Sequence, residues 1–358
     1  MKQRIYLDHA ATTPVLPVAR AAMAKATEHW ANPSSPHVEG RAARAALEGA
    51  RERIKAALDW RHDVIFTSGA SEAVQMVAER ARVTRRLVGA TEHAIVPYAM
   101  GPGAEVLPVD EGGIVRLDAL EQALAKGPAL VAIQQVNNET GVIQPLEEIA
   151  ARVRAAGSLL LADCAQSAGK LPLPDADFIA LAAHKLGGPP GIGALLVRDL
   201  VALEPSGGQE KGYRRGTQDV PAIAGFAAAL ASGEFAEAMP RLTELRRHLE
   251  DGVRAAGGVV IAEGSPRIVN IGSVAMPGAN RASLLVQFDL AGFAVSAGSA
   301  CSSGKMQDSH VLAAMGVEPT IAAGALRISF GPSTSEADVE AFLSEWRRIV
   351  SRQAARAA

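Results

Sequence analysis

Two stretches of the chain put reactive side chains where an interior strand would not normally carry them. In FIALAAHKLGGPPGIG (178–193) an apolar run ends in His184 and Lys185, before a glycine- and proline-rich loop. Twenty-two positions upstream of Lys185, the run LLLAD ends in Asp163. In α/β folds, ligands bind outside the carboxyl ends of parallel strands. A lysine held there, with little water and few carboxylates, sheds its proton readily and forms a Schiff base with an aldehyde. An aspartate beside it suits pyridoxal phosphate (PLP), whose ring nitrogen needs an anionic partner before the ring can accept electrons. A strand-end lysine is also commonly just solvated, so the other segments decide.

SAGSACSSG (296–304) surrounds Cys301 with Ser, Gly and Ala, the composition of an exposed loop rather than a buried strand. A free thiol on such a loop is open to oxidation and its presence asks for a reason; an incidental thiol is the alternative. Cys164, beside Asp163 and between apolar runs, reads instead as a small core residue. TSGASEA (67–73) is a strand end, a turn and a helix start. The free backbone N–H groups around Ala70 and Ser71 could hold a phosphate, or Ser71 could be an ordinary cap. VNNETGVIQP (136–145) could present the Asn138 amide to a ligand, although Asn and Gly there equally make a turn. His93 in TEHAIVP (91–97) and Gln166 in DCAQSAGK (163–170) are, taken alone, structural residues as readily as site residues. Arg327 in LRISFG (326–331) could grip a carboxylate or sit in a surface salt bridge.

The elements that must position these residues follow from periodicity. Helical patterns span 18–29, 41–58, 71–82, 117–126, 145–156, 221–237 and 241–256. Between them lie the strand-like runs DVIFTS, RRLVGA, EVLPVD, LVAIQQV, SLLLAD, FIALAA and GALLVR. This alternation predicts an α/β fold with a mostly parallel sheet covered by helices on both faces. After about residue 257, VVIAEG, RIVNIGSV, LLVQFDLAGFAVSAGSA and ALRISFG read as strands with fewer helices, which predicts a smaller α+β domain. Proline restricts the residue before it, so Met239-Pro240 marks the expected boundary: 15–240 as the large domain, 1–14 with 241–358 as the small one.

At 358 residues the chain is too long for one typical core. Its apolar fraction is 48%, and 36 Lys and Arg face 38 Asp and Glu, so the charge balance invites neither nucleic acid nor an anionic membrane. Clusters such as RVTRR (82–86) and Arg347-Arg348 fit solvated helix faces. Two cysteines argue against a disulfide framework and for a reducing compartment. With no signal-like start and no apolar run of membrane-spanning length, the expected location is the cytoplasm. No metal-ligand spacing stands out.

Taken together and in order, YLDHAATTP, NPSSPH (32–37), TSGASEA, TEHAIVP, VNNETGVIQP, DCAQSAGK, AHKLGGPPGIGAL, GGQEKGYRRGT (207–217), SAGSACSSG and LRISFG resemble the cysteine desulfurases of the class V aminotransferase family. The resemblance covers nearly the whole chain. It implies a fold-type I PLP-dependent transferase: a large domain with a mostly parallel sheet covered by helices, plus a smaller α+β domain. It implies that Lys185 carries PLP and moves protons, Asp163 holds the pyridine nitrogen, Gln166 bonds the ring hydroxyl with Asn138 nearby, and His93 stacks on the ring. Ala70, Ser71 and His184 would bind the phosphate, and Thr217 would reach the phosphate of a partner subunit, making a homodimer. Arg327, with Asn32, would hold the carboxylate of L-cysteine, and Cys301 would accept its sulfur as a persulfide. The sulfur would pass to an acceptor protein, an iron–sulfur scaffold or a sulfur carrier. The Cys301 segment followed by SHVL looks like that of the long-loop group, which hands sulfur directly to partners. A selenocysteine lyase or another class V lyase is the alternative enzyme reading, and a sulfur carrier or regulatory protein without activity is the alternative outside enzymes.

The sequence departs from the family pattern at several sites. Ala182 stands where a phosphate-binding Ser is usual, and Ser71 where Thr is common. Gly187 replaces an aromatic or His. Lys211 and Arg215 replace the usual Arg and Ser, and Arg215 is the expected substitute for the phosphate-binding hydroxyl that Ala182 lacks.

Overall fold

The computed structural model describes residues 4–28, 30–298 and 308–357. In chain order the elements are β1 (Ile5–Tyr6), α1 (Pro17–Ala26), α2 (Val38–Ala57), β2 (Asp63–Thr67), α3 (Ala70–Arg80), β3 (Arg85–Gly89), α4 (Ile95–Met100), β4 (Glu105–Leu107), α5 (Leu117–Leu124), β5 (Ala129–Gln134), α6 (Leu146–Ala155), β6 (Leu159–Asp163), β7 (Phe178–Ala182) and β8 (Gly193–Val197). There follow α7 (Val220–Ser232), α8 (Glu234–Ala255), β9 (Val259–Val260), β10 (Ile271–Ala275), α9 (Arg281–Leu290), β11 (Phe293–Ala294), α10 (His310–Ala314), α11 (Pro319–Ala322), β12 (Ala325–Ser329) and α12 (Glu336–Ala357).

Seven strands form the main sheet in the order β2-β8-β7-β6-β5-β3-β4. Only β8 runs against its neighbours; the pairs β7–β6, β6–β5, β5–β3 and β3–β4 are parallel. The strands read as continuous apolar runs because both faces are covered. Along β7 the pleat separates them: Ile179 and Leu181 face the core shared with α2, α6 and α7, whereas Phe178 and Ala180 face the core under α3. α2 presents Ala43, Leu47, Ala50 and Ile54 to the sheet at helical spacing, and His37 caps its start through Nδ1, accepting from Gly40 N at 3.2 Å.

The C-terminal part builds its own core. β12-β10-β9 make an antiparallel sheet. α8, α9 and α12 bury Leu242, Leu249, Phe288, Phe342 and Trp346 against it, and the Phe288 and Phe342 rings stack 4.8 Å apart. The N-terminal end of the chain joins this cluster: β1 pairs in parallel with β11, and Leu7 is fully buried there.

Three expectations need correction. The segment from Leu284 is not a strand, since α9 runs to Leu290 and only Phe293–Ala294 is extended. Its apolar run covers a helix face as well as a strand, an ambiguity that short apolar runs always carry. The break between the two long helices falls at Gly233, in the left-handed conformation (φ 69°), and Pro240 is accommodated inside α8. Arg85 and Arg86 lie at the start of β3, not on a helix face, and donate to backbone carbonyls including Gly127 O and Ala78 O. Among the described residues no single helix is long and apolar enough to cross a membrane; α7 and α8 reach that length and composition only as a pair, which is bent by 49°. α7 is apolar nearly all round because it is buried among α1, α2 and the sheet.

A buried ion pair fixes the 207–217 loop. Glu210 accepts from Arg51 Nη1 at 2.9 Å and from Nη2 at 3.2 Å, and also from Phe66 N and Gln218 Nε2. The forked geometry and the two added bonds satisfy a carboxylate that burial would otherwise penalise.

At Gly187 both the backbone conformation and a close neighbour exclude a side chain. Its φ is +86°, and a Cβ would come within 2.4 Å of Leu16 Cγ, while its carbonyl accepts from Leu16 N at 2.9 Å. Gly187→Ala is expected to lower stability by about 1–3 kcal/mol through backbone strain and the Leu16 contact. Gly103→Ala, with φ not in the strained range and open space around it, should stay within about 0.5 kcal/mol. Urea unfolding of both variants measures the difference.

Candidate active site

The parallel order β7–β6–β5–β3 brings four strand ends together, and the reactive residues lie at or just beyond them. Asp163 closes β6, paired with Gln134 on β5 and Ala180 on β7. His184 and Lys185 form a single 3-10 turn directly after β7. His93 follows β3, and Asn138 follows β5. These residues line one cavity of about 330 Å³, together with Ala70, Ser71, Gln166 and Arg327. That volume is at the small end of ligand pockets.

One wall of the cavity is the start of α3. No side chain caps this helix, so its first N–H groups are left for a ligand, and Glu72 is turned back to accept from Ser68 N and Arg214 Nε. The turn can lie against β8 because Gly193 has no side chain: a Cβ there would come within 2.7 Å of Gly69 Cα. Ala182 also lines the cavity and contributes no hydroxyl.

The floor is polar. Asp163 Oδ1 accepts from Ala165 N at 2.9 Å. Gln166 Nε2 donates to Ala10 O at 2.9 Å, and its Oε1 is buried without a hydrogen-bond partner among the described residues. Such an orphaned acceptor next to a carboxylate calls for a ligand group. Across the cavity, Arg327 on β12 donates to Asn138 O at 3.0 Å and to Asp8 Oδ1 at 2.8 Å. The segment 10–13 closes the cavity against the lysine turn: Thr13 N donates to His184 O at 2.8 Å, and His184 Nδ1 lies 3.3 Å from Thr12 Oγ1.

The electrostatics favour an anion. Burial, reinforced by Lys185 and Lys170, pushes His184 down to about 4. Burial and then Lys185 also lower His93, against the opposing pull of Asp163. Burial, with Lys185 adding to it, brings Lys170 down to about 7. Groups that resist carrying charge beside fixed cations are stabilised by an incoming negative ligand.

Several expected residues lie elsewhere. Asn32, Arg215 and Thr217 do not line the cavity. Asn32 is exposed and accepts from Ser34 N, and Arg215 is exposed with its Nε donating to Ser206 O. Arg215 therefore does not stand in for the hydroxyl absent at Ala182 within this chain. Cys301 lies outside the described residues; on its two sides, Ser296 pairs with Arg327 backbone and Ser309 Oγ donates to Glu139 Oε2 at 2.6 Å. Cys164 is fully buried, and burial pushes its thiol well up, away from reactivity. Among the described residues no His, Cys, Asp and Glu group could hold a metal.

Two neighbours of the site carried no reading from sequence. Lys170 is buried, donates to Gln166 O at 2.9 Å and lies 5.0 Å from the centre of the Phe235 ring; its spacing of four from Gln166 was the available signal. Glu92, next to His93, is buried with its carboxyl held well above the usual range by desolvation, and accepts from Gln134 N.

His9, like His184, is held down to about 4, chiefly by burial and then by Lys170. The unfolded chain binds a proton on each ring near pH 6.5 that the native chain refuses until about pH 4. Each ring therefore makes stability fall as pH drops through that window, at about 1.4 kcal/mol per pH unit. Glu92 acts with the opposite sign, so the difference between variants is the cleaner reading. His9→Asn is expected to flatten the loss of stability between pH 7 and pH 5, measured by urea unfolding of the cofactor-free chain.

Comparison with known proteins agrees with this layout. The aminotransferase class-V profile matches residues 5–342. A cysteine desulfurase of Gluconacetobacter diazotrophicus is 36% identical over 97% of this chain and 94% of its own length. An IscS-like cysteine desulfurase of Mycobacterium tuberculosis is 39% identical over 97% and 96%. The structure of a NifS-like protein from Rickettsia africae superposes with a TM-score of 0.89 at 30% identity, covering 98% of this chain and all of that one. SspA, solved in complex with cysteine, superposes with a TM-score of 0.78 at 29% identity, covering 92% of this chain and 100% of its own. By the match over nearly its full length, and by relatives of this identity, the chain belongs to the aminotransferase class-V family.

Proposed function

We propose that this chain is a PLP-dependent cysteine desulfurase, converting L-cysteine to L-alanine and passing the sulfur to Cys301. The observation that carries the reading is the single cavity lined by Lys185, Asp163, Gln166 and Arg327, in a chain whose near-full-length relatives are named cysteine desulfurases. PLP fits the residues present. Asp163 would offer an anion for the ring nitrogen, and Gln166, whose Oε1 lacks a partner among the described residues, would hold the ring hydroxyl with Asn138 nearby. The uncapped start of α3 at Ala70 and Ser71, with His184, suits a phosphate. When bound, the cofactor supplies an electron sink for the α-carbon of the amino acid.

The protein's own groups do the rest. Arg327, with Asn32 assisting if the 32–37 loop moves inward, orients the substrate carboxylate. Lys185 carries the cofactor, takes the proton from the substrate α-carbon and delivers one to the β-carbon. His93, whose pKa burial and Lys185 lower, would lie by the cofactor ring when it is bound and would serve as a proton acceptor. The thiolate of Cys301 is the nucleophile. In the net reaction the substrate's carbon–sulfur bond breaks and a sulfur–sulfur bond to Cys301 forms. Hydrogen replaces sulfur on the β-carbon, so that carbon is reduced as sulfur is oxidised. An acceptor protein, an iron–sulfur scaffold or a sulfur carrier, then takes the persulfide sulfur.

In this reading the large domain holds the cofactor and the small one brings Cys301 and Arg327. The boundary remains the expected one at 240, which falls inside α8, close to the helix break at Gly233. Thr217, exposed on the loop pinned by Glu210, reaches the phosphate of a second copy, so the working unit is a homodimer. Arg215 from the same loop is placed there to reach that phosphate too. The cytoplasm is the reducing setting that such a thiol requires.

The test is production of alanine and sulfide from L-cysteine with a thiol reductant, alongside the visible absorption of the purified protein. Equimolar products and a bound-cofactor band are expected. Cys301→Ser should abolish sulfide formation, and Lys185→Ala should lower turnover by roughly 10²–10⁴-fold. A bound-cofactor band with no alanine from cysteine, or turnover indifferent to Cys301, would reassign the chain to another lyase of the family, with selenocysteine the substrate to try. Ala182→Ser adds a hydroxyl to the cavity wall. One added hydrogen bond of about 1 kcal/mol should tighten cofactor binding about fivefold, measured by retention on dialysis.

A further inference from the structure

Arg327 is held more tightly than a substrate-binding arginine needs to be. It is 3% exposed and donates from Nη1 to Asn138 O at 3.0 Å and from Nη2 to Asp8 Oδ1 at 2.8 Å. Its Nε is buried with no hydrogen-bond partner among the described residues. A guanidinium is a rigid planar fork of five N–H donors. One bond from each terminal nitrogen therefore fixes the plane of the group and leaves three N–H groups, one on each terminal nitrogen and the unpartnered Nε.

Asp8 is placed independently of this contact. Its backbone bridges to Ser329 on β12, two residues from Arg327, and Ser329 N donates to Leu7 O at 2.8 Å. The next turn is tied back as well: Ala10 N donates to Ser329 Oγ at 2.8 Å, and Tyr6 Oη donates to Thr12 O at 2.9 Å. The carboxylate is thus presented by a prearranged segment. Asn138 O, the second acceptor, belongs to the cavity wall itself.

We infer that Asp8 is a positioning residue for carboxylate recognition: it sets the plane of the Arg327 guanidinium, which lines the cavity, so that its remaining N–H groups are held for the carboxylate of an amino-acid substrate. This rests on the proposed function, since it presumes that Arg327 receives the carboxylate of an amino acid bound at the cofactor. Asp8 touches no reacting atom and acts only through Arg327. Its one carboxylate also compensates the buried cation when no substrate is present.

The experiment compares two amines on the holoenzyme, L-alanine and ethylamine, which differ by the carboxylate. Binding of each is followed through the visible band of the bound cofactor. Asp8→Ala is expected to weaken L-alanine at least tenfold and leave ethylamine within twofold; in turnover, KM for L-cysteine should rise much more than kcat falls. Asp8→Asn keeps an oxygen acceptor in place and should return L-alanine to within threefold of the natural chain. Asp8→Glu keeps the charge but moves the acceptor by a methylene. It should weaken L-alanine at least fivefold, and it carries the test should Asp8→Ala fail to fold. Equal weakening of both amines, or L-alanine binding indifferent to Asp8→Ala and Asp8→Glu, overturns the inference while leaving the desulfurase reading intact. A natural holoenzyme whose band responds to neither L-cysteine nor L-alanine overturns both.

Discussion

The parallel pairing of β6 with β7 is the constraint on which the site depends. Its register sets Asp163 beside Ala180, and the next turn of β7 then has to deliver Lys185 over the same strand end. A slip of one residue would send every side chain of β7 to the opposite face. It would exchange Ile179 and Leu181 for Phe178 and Ala180 in two differently shaped cores, so the apolar packing of the sheet also enforces the geometry of the polar end. The core and the site are therefore one problem solved once, by alternation along five buried residues.

Around that strand pair, cations and groups that resist protonation gather beside one carboxylate. Lys185 and Arg327 line the cavity with Asp163, burial and Lys185 lower the pKa of His184 and His93, and Asp8 is taken up by Arg327. Such an arrangement is poor for an empty site and good for an occupied one, because an anionic ligand offsets both the desolvation and the mutual repulsion. Stability and occupancy are then linked, as they are for any ligand that binds only the folded chain.

Much of this was legible in the sequence. The alternation of apolar runs with helical patterns gives the sheet and its covering helices, and each reactive residue sits at the end of such a run. Lys185, Asp163, Gln166, His93, Asn138, Ser71 and Arg327, which span more than 250 positions of sequence, do line one cavity. What sequence could not weigh was tertiary context. The run from Leu284 is amphipathic enough to be a helix as well as a strand, and only packing against Phe342 and Trp346 chooses. Pro240 was a reasonable place to end a helix, but Gly233 offers the left-handed cap that ends one at lower cost. Asp8's pairing with Arg327 and Lys170's contact with Phe235 were invisible because these partners are brought together only by the fold. Arg215 does not line the cavity of its own chain because the Arg51–Glu210 pair holds its loop outside it.

The N-terminal strand carries one more implication. β1 finds its partner at Phe293–Ala294, Asp8 at Ser329 and Arg327, Ala10 at Gln166, and Thr13 at His184. During synthesis these residues leave the ribosome before anything they bind to exists. Closing contacts of such separation is slow, and the entropy of bringing them together must be met before they return any stability. This wall of the cavity is thus among the last surfaces to form, even though it is translated before its partners. The strand order of the main sheet can be laid down up to β8 without it, which leaves an interval in which a nascent chain has its cofactor floor but not its closing wall. Small-molecule capture by a growing chain would happen, if at all, through that open side.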